Sequence, residues 1–184
     1  LCMFSVLINT NLLYAIQKYN NHNDSGKVDR YFYSSSACVY NATKQLRPDI
    51  TALKEEDAYP ALPEDGYGWE KLFSERMCKN FMDDFGLECR VARFHNVYGP
   101  LGTYDGGREK APAAICRKII NAKLNNEKEI EVWGDGLQTR SFMYIDDCIE
   151  GIIKIMNSDI RVPINLGSDE LVNINQLIEY TSKI

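Results

Sequence analysis

Two spacings alternate along this chain. Over residues 1–19, Phe4, Leu7, Ile8, Leu12, Ala15, Ile16 and Tyr19 fall at helical spacing and predict an amphipathic helix. The run 20–29, rich in Asn, Asp, Ser and Gly, predicts a surface loop. Residues 30–36 are short and aromatic, and they predict a strand that ends in three hydroxyl residues. A long loop to Asp65 carries Pro48, Pro60 and Pro63. Helical spacing returns over 66–85 through Trp69, Leu72, Phe73, Met77, Phe81 and Phe85, and Gly86 supplies a stop. Residues 87–94 alternate like a strand. A Gly-rich loop over 98–110 leads to a helix from about Pro112, with Pro in its first turn. A short strand is predicted at 130–133, a turn at 134–136, a helix at 145–156, a strand at 162–166 and a last helix near Asn173. Strands alternating with helices imply βα units, so the fold class is α/β with a doubly wound, mostly parallel sheet.

Composition narrows the partners. The 184 residues are 45% apolar and 26% charged, ordinary for a globular chain. Twenty-one Lys and Arg against 26 Asp and Glu give a net charge of -5 with no basic run, which argues against nucleic acid as the main partner. No apolar run reaches the roughly 18 to 20 residues of a membrane helix. Residues 1–16 are uncharged, but Asn9, Thr10 and Asn11 interrupt them and no basic lead-in precedes them, unlike a signal peptide. Six cysteines, at 2, 38, 78, 89, 116 and 148, form no Cys-x-x-Cys pair, and His22 and His95 are far apart. That spacing supports neither a metal site nor a disulfide framework; free thiols in the reducing cytoplasm are expected.

Four segments hold candidate chemistry. Tyr67 and Lys71, four apart at a helix start, lie on one face. An ammonium near a phenol favours the phenolate, which would make Tyr67 a base for a sugar hydroxyl. A half-buried Tyr beside a solvated Lys would show the same spacing. Ser34, Ser35, Ser36, Ala37 and Cys38 stand at the predicted C-terminal end of a strand, the edge where α/β sheets bind ligands. A capping cluster is the plain alternative. Two loops follow, Arg93 to Pro100 and Trp133 to Phe142. The pair Asp146 and Asp147 reads as a helix start rather than a metal site.

These four segments, in this order, resemble the extended short-chain dehydrogenase/reductase family of nucleotide-sugar epimerases and dehydratases, and the likeness runs from about Asn9 to Glu179. Ser35, Ser36, Ala37 and Cys38, with the nine-residue run Gly106 to Ala114, are most similar to the branch that epimerises GDP-mannose at carbons 3 and 5. The resemblance implies NAD as cofactor, GDP-mannose as substrate, GDP-L-galactose and GDP-L-gulose as products, and a homodimer. It implies that Tyr67 takes the proton of the sugar 4-hydroxyl, that Lys71 tunes Tyr67 and holds the nicotinamide ribose, and that Ser36 bonds the 4-oxygen. Cys38 and Lys110 would be the acid/base pair acting beside the 4-keto group. A thiol near a cation and a partly desolvated amine both suit that work. His95 would lie near the nicotinamide. Ala37, Asn96, Glu109, Ala111, Lys118, Gln138, Thr139 and Arg140 would contact the substrate, Arg140 with the planar fork that suits phosphate.

On this reading residues 1–100 are the C-terminal part of an NAD-binding Rossmann domain. Residues 101–184 give part of a smaller substrate-binding lobe and returning elements. No G-x-G-x-x-G occurs, so the chain is expected to be a fragment whose phosphate-binding half lies elsewhere, inactive and weak in NAD binding by itself. The loop over 20–29 looks longer than in the relatives. A 4,6-dehydratase is disfavoured, because that branch has an acid pair where Ala37 and Cys38 stand. Another epimerase or decarboxylase of the family, or a non-catalytic paralogue, stays open.

Overall fold

Arg30 to Ser36 and Glu88 to Phe94 lie side by side in parallel, Arg30 opposite Glu88 and Ser36 opposite Phe94. The computed structural model that gives this register describes residues 2–23, 25–45 and 52–183; Leu1 and Pro48 lie outside them. The elements run α1 (Cys2–His22), β1 (Arg30–Ser36), a 3-10 turn (Ala37–Val39), α2 (Ala42–Gln45), a second 3-10 turn (Glu55–Ala58) and α3 (Gly66–Phe85). They continue with β2 (Glu88–Phe94), β3 (Val97–Tyr98), α4 (Ala111–Asn125), β4 (Thr139–Ser141), β5 (Met143–Tyr144), α5 (Ile145–Asn157), β6 (Ile164–Leu166), β7 (Leu171–Asn173) and α6 (Ile174–Ser182).

The chain divides into two units. The first comprises Leu1–Phe94 and Glu150–Leu166, and the second His95–Ile149 and Gly167–Ile184. In the first, β1, β2 and β6 form a parallel sheet in that order. Strand β2 is central and buried along most of its length, as a strand covered on both faces must be. Leu13 of α1, Cys78, Phe81 and Met82 of α3, and Tyr33, Cys89 and Val91 of the strands make the core. Gly86, at φ 70, closes α3 as its spacing predicts. The second unit has a parallel pair, β3 with β5, and an antiparallel pair, β4 with β7. Among the described residues no helix is long and apolar enough to cross a membrane.

Three predicted features differ. Residues 130–133 do not form a strand: Ile130 to Trp133 have no ladder partner among the described residues, and a short extended piece without one is no strand. The long loop before Asp65 is broken by α2 and two 3-10 turns. The apolar spacing of the two large helices is also only partly buried: α3 buries Leu72 and Phe81 of its stripe, and α1 mostly turns its stripe outward. In α1, Asn9 and Leu13 are buried, whereas Phe4, Ile8 and Leu12 are exposed; in α3, Trp69 and Phe73 are exposed. Each helix has apolar side chains on two faces, and spacing alone does not say which one meets the sheet.

A candidate active site around Tyr67 and Cys38

The C-terminal end of β1 sends three serines in different directions. Ser35 is buried, and its hydroxyl donates to Glu75 Oε1 at 2.5 Å. Ser34 points outward, and its carbonyl accepts from Lys71 Nζ at 3.0 Å. Ser36 caps the 3-10 turn: its Oγ accepts the Cys38 backbone N–H at 3.2 Å, and the Cys38 thiol is left exposed. Ser36 thus acts as a cap, and the Cys38 thiol beside it stays open to solvent.

Helix α3 begins against that turn. Asp65 Oδ1 accepts the Gly68 N–H at 2.8 Å, the N-cap bond that starts the helix. A Cβ on Gly68 would lie 2.2 Å from the Cys38 carbonyl oxygen and 2.8 Å from Pro63 Cβ. Only glycine lets α3 approach this closely. Tyr67 stands in the first turn of α3; the Ser36 hydroxyl hydrogen-bonds its phenol, and the Cys38 thiol acts on it through space. One turn on, Lys71 Nζ lies over the Tyr67 ring, 5.5 Å from its centroid, and over the Tyr33 ring at 5.0 Å.

The electrostatics correct one expectation. Tyr67 is held above the ordinary phenol range, chiefly because burial disfavours the phenolate. The Ser36 hydrogen bond works the other way, while Cys38, Glu70 and Asp65 add to the rise. The net shift is upward, against the lowering that the Tyr67–Lys71 spacing predicts. The Lys71 ammonium is bonded to the Ser34 carbonyl and rests over the ring face.

A buried polar network supports this corner from beneath. Arg93 and Glu75 are each about 2–3% exposed and form a two-pronged pair, with Nε–Oε1 at 2.9 Å and Nη2–Oε2 at 2.7 Å. Arg93 Nη1 also donates to the Glu55 carbonyl at 2.8 Å and to the Tyr40 hydroxyl at 3.3 Å. Tyr40 in turn donates to Asn165 Oδ1, and the Asn165 N–H donates to Glu55 Oε1 at 2.9 Å. The carboxylate keeps Arg93 charged despite burial, raising its pKa.

The second unit holds the other predicted residues. Lys110 is exposed at the N-cap of α4. Glu109, expected to face the sugar, instead bonds Arg117 Nη2 at 2.9 Å. Asn96, at φ 26, donates its amide to the Ser141 carbonyl at 3.1 Å and so ties the chain after β2 to β4. His95 packs against Gly167, where a Cβ would meet His95 Cβ at 2.7 Å. Ala111, Ile115, Lys118, Val132, Trp133 and Gln138 line a hollow of about 180 Å³. Lys118 Nζ donates there to the Glu131 carbonyl at 2.7 Å. Thr139 and Arg140 lie exposed on β4. Asp146 and Asp147 fall in the first turn of α5, where carboxylates suit the positive helix end.

Gly68, Glu75, Arg93 and Arg117 position these groups and were not singled out for that by the sequence. One of them carried a signal: Arg93 interrupts a strand otherwise buried, and a buried guanidinium requires a buried acid partner. Lys71 fits a cofactor ribose by its donor set, since an ammonium has three N–H donors and the Ser34 carbonyl accepts one.

Residues 3–167 match the model of the NAD dependent epimerase/dehydratase family. The chain is 55% identical over 152 residues to GDP-mannose 3,5-epimerase of Arabidopsis thaliana and 57% identical over 152 residues to GDP-mannose 3,5-epimerase 1 of Oryza sativa subsp. indica. Each alignment covers 83% of this chain, which spans 39% of the length of those curated relatives. The solved UDP-N-acetylglucosamine 4-epimerase of Methanobrevibacter ruminantium superposes with a TM-score of 0.75 at 28% identity, over 93% of this chain and 49% of that one. With a parallel sheet, a Tyr and Lys at the start of α3 and a matched span of 165 residues, the chain belongs to the NAD dependent epimerase/dehydratase family.

Proposed function

We propose that this chain carries the acid/base machinery of an NAD-dependent epimerase that converts GDP-mannose to GDP-L-galactose, with GDP-L-gulose as the 5-epimer. The observation that carries the reading is the corner where Ser36, Cys38 and Tyr67 meet. The 55–57% identity to GDP-mannose 3,5-epimerases supports the choice of substrate. Tyr67 accepts the proton of the 4-hydroxyl, and Ser36 bonds the 4-oxygen as charge develops on it. NAD, when bound, supplies the acceptor that takes the carbon-4 hydride and later returns it. Lys71 would hold the cofactor ribose with the donors left beyond Ser34, and His95 would stand by the nicotinamide. The 4-keto group acidifies the hydrogens at carbons 3 and 5. Of Cys38 and Lys110, one removes such a proton to leave an enolate and the other returns a proton to the opposite face. Tyr67 gives its proton back to the 4-oxygen, so no net redox occurs.

Lys118, Gln138, Thr139 and Arg140 bind the diphosphate and sugar, with Ala37, Asn96 and Ala111 around them. The exposed stripes of α1 (Phe4, Ile8, Leu12) and α3 (Trp69, Phe73) favour a homodimer, because apolar side chains at this density mark an interface. Cytoplasmic residence fits the free thiols of Cys38, Cys78, Cys89, Cys116 and Cys148. The test incubates the protein, as its source makes it, with GDP-mannose and NAD. Two epimeric products resolved by proton magnetic resonance are expected. Unchanged GDP-mannose would overturn the reading.

A further inference from the structure

The loop before α4 is shaped by one side chain that no expectation included. Arg117, two turns into α4, reaches back to three points of that loop. Its Nε donates to the Tyr104 carbonyl at 2.8 Å, its Nη2 to Glu109 Oε1 at 2.9 Å, and its Nη1 stands 3.7 Å from Asp105 Oδ1. Between those points Gly106 and Gly107 take φ of 90 and 78, a reversal that glycine adopts without strain. Asp105 Oδ1 accepts the Gly106 N–H at 2.8 Å and completes the turn. The Glu109 side chain is about a tenth exposed, and the backbone N–H groups of Gly107 and Glu109 with Arg117 hold its carboxyl below the usual range. The next residue is Lys110, the N-cap of α4.

We infer that Arg117 is a positioning residue: with Glu109 it forms a clasp that fixes the backbone on which Lys110 stands, and Glu109 serves Lys110 through the clasp rather than by gripping substrate. This deepens the proposed function and rests on it for the role of Lys110. A guanidinium suits the task, because its planar fork meets several acceptors at once where an ammonium is a point charge. A reacting group displaced by about 1 Å can lose on the order of 100-fold in rate.

The test is a mutant cycle in the NAD-loaded protein as its source makes it, with Arg117→Gln, Glu109→Gln, the double variant and Arg117→Lys. Deuterium incorporation at carbons 3 and 5 of GDP-mannose in heavy water gives the rate. Amide exchange over residues 104–110 gives the loop. Each single variant should lose on the order of 100-fold in incorporation at saturating substrate, with faster amide exchange in the loop and KM nearly unchanged. The double variant should lose no more than either single one, and Arg117→Lys should recover only part. Additive losses, a raised KM without a fall in rate, or a loop whose protection ignores Arg117 would each overturn the clasp. If the parent protein incorporates no deuterium while loop protection still depends on Arg117, the proposed function fails and the clasp stands.

Discussion

Cys38 and Lys110 are both exposed side chains on short loops, yet the two loops are held by different physics. The Cys38 turn sits on an ion pair between Glu75 and Arg93 that is almost wholly buried, and its other side is pressed by glycine against α3. The Lys110 loop is held by Arg117, whose side chain is 28% exposed, across a pair of left-handed glycines. A buried pair has already lost its water, so removing one partner strands the other charge and costs the whole fold. A partly exposed clasp can exchange some of its bonds for water, so removing it costs geometry at one place. Damage in the first region should therefore appear as unfolding, and damage in the second as lost rate.

The sharpest break of that contrast is Arg93→Met. It leaves Glu75 buried, bonded by Ser35 among the described residues, and should lower stability by about 3–5 kcal/mol, read as a shifted urea midpoint. An unchanged midpoint would mean the buried pair does not support the corner. Gly68→Ala comes next. Its Cβ would meet the Cys38 carbonyl at 2.2 Å. Overpacking of this kind costs about 1–3 kcal/mol, and epimerisation should fall more than stability does because Cys38 moves from Tyr67.

Alkali separates the regions more gently. Burial pushes Tyr31 up to about 12, and raises Tyr33, Tyr40 and Tyr67 as well, all in the first unit. In the unfolded chain a tyrosine ionises near pH 10 or about there. The unfolded state then loses protons first, so stability is whole below about pH 10 and declines as pH rises from there toward Tyr31's value of about 12. Urea midpoints at mildly and strongly alkaline pH check this; equal midpoints would contradict it. The smallest effect is kinetic. Ser36 lowers the Tyr67 pKa, so Ser36→Ala should displace the alkaline rise of the rate to still higher pH. A profile left in place would remove Ser36 from the site.

Much of the framework was legible in the chain, and for identifiable reasons. β1, β2, α3 and its Gly86 stop follow from local spacing, because each is long enough for its period to register. Ser36, Cys38 and Tyr67 stood out as candidates because they sit at a strand end and a helix start, and their roles came from the family resemblance. Tyr67's raised pKa was not legible, since it depends on burial and on where Lys71 finds an acceptor. The two-residue strands β3 and β5, and the missing strand at 130–133, depend on partners that no local pattern encodes. Which apolar side chains of α1 and α3 turn inward was not legible, because both helices are apolar on two sides and only the sheet decides between them.

The central claim is that the exposed thiol beside Tyr67 handles a proton of the sugar. Deuterium incorporation into GDP-mannose in heavy water tests it directly, with the NAD-loaded protein and its Cys38→Ala variant compared at equal folded concentration. The account predicts label at carbons 3 and 5 with the parent protein and loss of most of it with the variant, the fold unchanged because Cys38 is exposed. Equal labelling by both proteins would contradict the role assigned to Cys38.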